Sequence, residues 1–325
     1  MIHSTLYSCV NKNYRPLSFR NVKTCRLKTR KSKVALDKVG KPFRAWSFRS
    51  FLDTLPDTLA AKDFREVVTT IIQARKKERP VILGMGAHPI KVGLSPIIIH
   101  LMESNVITAI AMNGACIIHD FELAITGHTS EDVDVELCKG TFGMAEETGK
   151  SLNKAIKNGV TKGYGIGRAV GDYILKAKTR YEELSILATA ARMNIPASVH
   201  VGIGTDIIHM HPEADGAAIG KGSLQDFKLF SSVIADLKGG VYLNLGSAVI
   251  MPEVFLKAVA VTRNLNKKVK DFSTVNMDFF QHYRTRENVL RRPVLSGGTS
   301  YALTGHHEIM FPLLAAAILE RVAAR

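Results

Sequence analysis

Short apolar runs that end in glycine or asparagine alternate along this chain with amphipathic stretches, and that alternation constrains the fold more than any other feature. PVILGMGAH (Pro80 to His88) is a buried-strand run closing on glycines, and VITAIAMNGA (Val106 to Ala115) is a second run closing on Asn-Gly. Between them, Pro96 to Ser104 is an amphipathic stretch. A strand–helix–strand unit calls for a crossover and hence a parallel pair.

The pattern recurs to the C-terminus. Helices are predicted at AAKDFREVVTTIIQARKK (Ala60 to Lys77), YEELSILATAARMN (Tyr181 to Asn194) and SLQDFKLFSSVIADLKGG, the last stopped by glycines. PEVFLKAVAVTRNL opens on Pro252 near its first turn, and FPLLAAAILERVAAR closes the chain as a further helix. Strands are predicted at PASVHVGIG (Pro196 to Gly204), VYLNLG (Val241 to Gly246) and VKDFSTVNMD (Val269 to Asp278). The expected fold is α/β: a doubly wound, mostly parallel sheet with helices on both faces. No linker follows residue 46, so residues 47–325 are expected to form one domain.

Of 325 residues, 46% are hydrophobic, which excludes global disorder and fibrous repeats. The apolar stretch Phe311 to Leu319 falls far short of the ~20 residues that span a bilayer, so no membrane association is expected. The net charge of +15 suggests a polyanion partner until it is located. Residues 1–46 hold twelve Lys/Arg and one acid, a surplus of +11, while the remainder carries +4. Nucleic acid is therefore not the expected partner of the body.

The first 33 residues are rich in Ser, Thr, Arg and Lys, with no acid and no apolar core for a secretory signal. A disordered extension, an organellar transit peptide and a basic arm all fit that composition. A cytoplasmic location is expected, or an organellar one if residues 1–33 act as a transit peptide. Cys9, Cys25, Cys116 and Cys138 form no CxxC or zinc spacing, so neither a disulfide framework nor a bound metal is expected.

In such a sheet, ligands bind beyond the carboxyl ends of the strands. Five predicted strand ends carry small or polar residues: Gly84 to His88, Asn113 to Ala115, Gly202 to Asp206, Gly246 to Ala248, and Asn276 to Asp278. Glycine admits close backbone approach to a phosphate, and a following helix N-terminus favours negative charge. These ends point to a nucleotide. GYGIGRAVG (Gly163 to Gly171) looks like a dinucleotide fingerprint, but helix and loop precede it, not a strand, so flexible turns between helices are expected there. HVGIGTDIIHMH brings His200, Asp206, His209 and His211 close in sequence; on an extended segment His209 and His211 would share a face. A general-base histidine supported by Asp206 is the favoured functional reading, and a structural histidine is its competitor.

The order of these motifs resembles the deoxyhypusine synthase family and its bacterial relatives, from about Pro80 to the C-terminus. The carriers are VILGMGAHPIKVGL, NVITAIAMNGACIIHDFELA, IPASVHVG with GTDIIHMH, VYLNLGSAVIMPEVF, TVNMD and MFPLL. The resemblance implies NAD as cofactor, transfer of an aminobutyl group from spermidine to a protein lysine to form hypusine precursors, and a homotetramer with shared sites. It implies His211 as general base with Asp206 beside it, and cofactor contacts from Gly86, Ala87, His88, Asn113, Gly114, Ala115, Asp120, Gly204, Gly246, Ser247 and Asn276. NGACIIHDFE is also similar to the nucleotide-binding half of methanogen-type ornithine cyclodeaminases.

Two departures matter. The family's imine lysine matches Met251, which can neither form an imine nor take a proton. Where the family offers acids to a cationic polyamine, FFQHYRTRENVLRR carries Arg284, Arg286, Arg291 and Arg292 against Glu287. A solvated basic loop would explain them; an arginine fork from Arg284, Arg286 and Arg291 holding an anionic substrate is the functional expectation. The expectation overall is an NAD-binding redox or transfer enzyme acting on an amine or amino-acid-like small molecule without the lysine imine. An authentic aminobutyl transferase with another nucleophile and a non-catalytic nucleotide-binding protein are the alternatives.

Overall fold

The computed structural model describes residues 47–323, two short strands at Tyr7–Cys9 and Lys12–Tyr14, and Lys23. The rest of the leader expected at residues 1–46 lies outside the described residues. The chain divides into two units, Met1–Val39 and Gly40–Arg325. In the first, the two short strands pair antiparallel with Ser8 opposite Asn13. The second carries everything that follows.

Its sheet has six parallel strands: β1 (Val81–Met85), β2 (Ala109–Asn113), β3 (Ala197–His200), β4 (Val241–Leu245), β5 (Phe272–Asp278) and β6 (Gly298–Thr304). Their spatial order is β3-β2-β1-β4-β5-β6. Register aligns the strand ends: Met85 pairs with Met112 on one side and Leu245 on the other, and Leu245 pairs with Met277. This 3-2-1-4-5-6 order reverses between β1 and β4, and a reversal of that kind opens a crevice at the carboxyl edge.

Alternation along the strands divides the core between two faces. Leu83, Met85, Ile110, Met112, Leu243, Leu245, Val275 and Met277 are buried on one side, and Ile82, Ala109, Ala111, Tyr242 and Phe272 on the other. The first face is covered by α1 (Leu59–Lys76), α2 (Ser95–Glu103), α3 (Gly114–Thr126), α4 (Glu146–Thr161), α5 (Ile166–Ala177), α6 (Ile186–Met193) and α9 (His307–Ala323). The second is covered by α7 (Gly216–Ala235) and α8 (Ile250–Asn264), with Tyr242 stacked on Phe255 at 3.8 Å. The sheet is therefore parallel throughout and covered on both faces, as the sequence predicts.

Three local expectations change. Gly163 to Gly171 is not a set of flexible turns: α5 begins at Ile166, and Gly167 and Gly171 lie buried on it. A methyl group on Gly171 would sit 2.9 Å from the Ala191 Cβ, so these glycines let α5 press onto β3 and α6. His209 lies in a 3₁₀ turn (Ile207–Met210) rather than an extended segment, so it does not share a face with His211. The arginine-rich segment is helical, a π-type stretch at Arg286–Arg291 following a turn at Tyr283–Thr285. Among the described residues, no helix is long and apolar enough to cross a membrane.

Candidate functional site

The strand reversal sets the site. Beyond β1 the chain turns at Gly86 and Ala87 into a short helical turn, His88–Lys91. Beyond β4 it turns at Gly246, whose φ of +63° suits glycine. The two turns touch: Gly86 N–H donates to Leu245 O at 3.1 Å, and a Cβ on Gly86 would fall 3.1 Å from the Gly246 carbonyl carbon and closer still to its oxygen. Gly246 in turn donates its N–H to Met277 O at 3.2 Å, fastening β4 to β5. Glycine at these two positions keeps the crevice floor formed of main chain.

Over that floor stands a cluster of rings. His88 Nδ1 and His307 Nδ1 are 2.9 Å apart. His307, the first residue of α9 and 1% exposed, also bonds Met277 O through Nε2 at 3.2 Å. The same nitrogen lies 3.6 Å from Asp278 Oδ1. Burial is the main cause that pulls the His307 imidazole below the usual histidine range, while Asp278 acts against it. Phe279 packs at a tilt of 31° on His307 with ring centroids 4.6 Å apart, and meets His88 edge-on at 5.0 Å. Beside it runs an amide chain: Asn244 Nδ2 donates to Asn276 Oδ1 at 2.7 Å, and Asn276 Nδ2 to Gln281 Oε1 at 2.7 Å.

Beyond β2, helix α3 starts at Gly114 with no side-chain cap from Asn113; the turn after β1 and helix α8 after β4 likewise lack one. The first N–H groups after β1 and β2 are therefore free of side-chain acceptors, the arrangement that suits an anion, whereas in α8 the Met251 N–H donates to Ser247 Oγ at 3.2 Å. Asp206 packs against Gly114, and its Oδ2 is buried without a partner. Burial pushes its carboxyl up to about 6, against the lowering effect of a Thr205 hydrogen bond. Cys116 Sγ donates to Asn113 Oδ1 at 3.0 Å, and burial holds that thiol well above its ordinary value.

Of the expected cofactor residues, Gly86, Ala87, His88, Asn113, Gly114, Ala115, Gly246 and Ser247 lie at the carboxyl ends of β1, β2 and β4, three neighbouring strands. Gly204 lies on the loop after β3, exposed, its N–H bonded to His209 Nδ1 at 3.2 Å. Asp120 does not fit the expected role. It is fully buried and accepts from Ser185 Oγ at 2.6 Å and Ile186 N at 2.7 Å, fixing the start of α6. Asn276 is fully buried too, its amide spent on Asn244 and Gln281.

The expected His211–Asp206 pair is not formed. His211 Nε2 bonds Gly143 O at 2.8 Å and its ring packs on Gly149 of α4, whereas Asp206 sits on Gly114. The arginine fork is not formed either. Arg284 pairs with Glu253 at 3.5 Å, and Arg291 and Arg292 both pair with Glu287, at 2.6 and 3.4 Å. Helical spacing points these side chains along their own turns instead of onto one anion. Met251 is fully buried among Tyr242, Phe255 and Ile82, inside the core and not in the crevice.

His307, Asp278 and Phe279 were not assigned roles from sequence. The available signal was the His306-His307 pair just after a strand, but that strand, GTSYALT, is a largely exposed edge strand lacking an apolar run.

No family model and no curated protein sequence matches the chain. Among solved structures, a conserved candidate LOR/SDH protein from Methanococcus maripaludis S2 superposes with a TM-score of 0.53 at 17% identity, covering 82% of this chain and 71% of that one. AgrE in ternary complex with ornithine and NAD+ gives 0.52 at 14%, over 84% of this chain and 35% of that one. A candidate deoxyhypusine synthase from Entamoeba histolytica gives 0.50 at 14%, over 86% of this chain and 96% of that one. The chain spans about a third of the length of AgrE and of the cyanobacterial arginine dihydrolase ArgZ. At these identities the likeness is one of fold: a deoxyhypusine synthase-like α/β sheet shared with at least one protein solved with NAD+ bound.

Proposed function

We propose that this chain is an NAD-binding enzyme that carries out redox chemistry on a small amine or amino-acid-like molecule without a lysine imine. The observation that carries the reading is the main-chain contact of Gly86 with Gly246 at the strand reversal, where a Cβ on Gly86 would collide with the Gly246 carbonyl, so the two turns meet with no side chain between them. A dinucleotide fits there because its pyrophosphate needs close backbone approach and N–H donors. Ala87 and Ala115 supply such groups beside the helical starts after β1 and β2, which have no side-chain cap. NAD, when bound, supplies hydride acceptance. The protein's own residues orient it: Phe279 and the His88–His307 pair pack together over the Gly246 turn.

Met251 supports the exclusion of lysine-mediated transfer, since its side chain lies in the core. Calorimetric titration with NAD tests the proposal, with Ala115→Glu as the informative variant. A carboxylate in the first turn of α3 suits the helix dipole, so stability is retained, while it repels a pyrophosphate. Expected is NAD binding to the native chain and a tenfold or greater loss in the variant, which corresponds to about 1.4 kcal/mol or more. Absence of NAD binding at millimolar concentration refutes the proposal. Incubation with NAD, labelled spermidine and acceptor protein is expected to give no transfer of label. Assembly as a homotetramer belongs to the same proposal and is read by light scattering.

A further inference from the structure

We propose that His88 is the proton-exchanging residue of this crevice, with His307 as the positioning residue that keeps the His88 Nε2 lone pair bare. The inference rests on the crevice being the functional site, and it adds the group that handles protons there. It follows from counting hydrogens around one carbonyl. Met277 O can only accept, so His307 must carry its proton on Nε2 to make the 3.2 Å bond. Asp278 Oδ1, 3.6 Å from the same nitrogen, is an acceptor as well and favours the same tautomer. A neutral His307 then has a lone pair on Nδ1. The 2.9 Å contact between the two Nδ1 atoms requires one donor, so His88 must carry its proton on Nδ1. What remains on a neutral His88 is an Nε2 without hydrogen and without a protein partner among the described residues.

The neutrality of His307 has a structural cause. Its ring is buried under Phe279, and a charged His88 opposes a second charge beside it. The charged and titratable groups facing the pair are Asp278 from the end of β5, and His306 and Glu308 from the start of α9, which sit 3.7 Å from each other. β4 contributes the main chain of Gly246 and no charge. Lys91, one turn beyond His88, acts on His119. The proton step is simple. An N–H or O–H of a bound molecule gives its proton to His88 Nε2, the bonding electrons stay on the donor atom, and the new imidazolium keeps its Nδ1–H on His307. Asp278 lies where it offsets that charge through His307. Sequence comparison with the resembling family pointed to His211 instead, but that ring is tied to Gly143 O.

Two-bond ¹H–¹⁵N correlation spectra of the full chain labelled at histidine read the tautomers directly, with no ligand. Expected are a protonated Nδ1 and bare Nε2 for His88, and the reverse for His307. His307→Phe removes the acceptor and is expected to move the His88 proton to Nε2. His307→Gln, whose amide can donate to Met277 O and accept from His88, is expected to restore the native tautomer. A native His88 protonated on Nε2, or a His88 tautomer unmoved by His307→Phe, overturns the proposal. Diethylpyrocarbonate, which attacks a bare imidazole nitrogen, is expected to acylate His88 among the reactive histidines, with His88→Asn losing that adduct and saturating NAD slowing its formation several-fold. Unslowed acylation with NAD demonstrably bound overturns the placement of His88 in the site. Correct tautomers without NAD binding would instead overturn the proposed function and leave the histidine pair standing.

Discussion

Gly246→Ala tests the crevice more sharply than any change to a ligand-facing side chain, because two separable costs meet at one residue. The backbone there has φ +63°, where an L side chain costs about 1–2 kcal/mol. The added Cβ would lie 2.7 Å from His307 Cε1, well inside the ~3.5 Å at which carbon atoms rest. His307 cannot swing aside freely, being 1% exposed and bonded to both Met277 O and His88. Overpacking of a filled site costs about 1–3 kcal/mol, and each hydrogen bond given up about 1 kcal/mol. Gly93 supplies the control: its φ is +81°, yet nothing lies within 4 Å of a Cβ built on it. Gly93→Ala should therefore cost the backbone term alone, about 1–2 kcal/mol, and Gly246→Ala about 3–6 kcal/mol in total. Urea unfolding of both variants, compared at equal m-value, reads the difference of roughly 2–4 kcal/mol. Equal destabilisation of the two would refute the claim that the β4 turn and His307 are locked together.

Three further outcomes follow from the same packing. Burial pushes Asp226 up to about 7, and Asp120 and Asp206 up to about 6, so the folded chain binds these protons more tightly than the unfolded chain. Their stability contribution is complete below about pH 4 and is lost as pH rises towards 7, so the melting temperature should fall across that window, less steeply in Asp226→Asn. Met251→Lys places an ammonium in the Tyr242–Phe255 core; it should destabilise by about 3–5 kcal/mol and yield no borohydride-trapped adduct with an amine substrate. Arg291→Ala breaks an exposed, solvent-screened pair with Glu287 and should leave the melting temperature and the NAD affinity essentially unchanged.

The sheet was legible because parallel strands buried on both faces must be apolar throughout: VILGM, AIAMN and VYLNL have no polar alternation to confuse them. β6 is illegible in the sequence for the opposite reason. GTSYALT is an edge strand with one buried residue, Leu303, so nothing in its side chains had to be apolar. Without it the sequence lacks the anchor that places His307 at the carboxyl edge, three residues beyond Thr304. Asp120 and Asp206 are equally opaque in sequence. Both are acids near strand ends, yet one is enclosed by Ser185 and the backbone of α6, and the other has an unpartnered oxygen over Gly114. Such differences depend on tertiary neighbours far along the chain.

The absence of a lysine at position 251 is not a single-residue matter. Position 251 lies in the first turn of α8, with its N–H on Ser247 Oγ at 3.2 Å and its side chain against the sheet. Successive helical residues are rotated by about 100°, so an amine at 251 could face the crevice only if the whole first turn were rewound. Pro252 and the Ser247 bond oppose that, since both fix where the helix begins. The arginines after β5 are bound to a similar degree: Glu253, from α8 itself, takes Lys257, Arg284 and Asn288, so the charges of this edge close on one another. With an amine excluded by helix phase and Arg284, Arg291 and Arg292 engaged by local acids, the imidazoles of His88 and His307 stand beside the strand reversal, and the carboxyl of Asp206 lies over the end of β2. Proton transfer in this crevice therefore depends on a strand order that brings residues 88 and 307 together, and not on the His-rich segment that draws attention in the sequence.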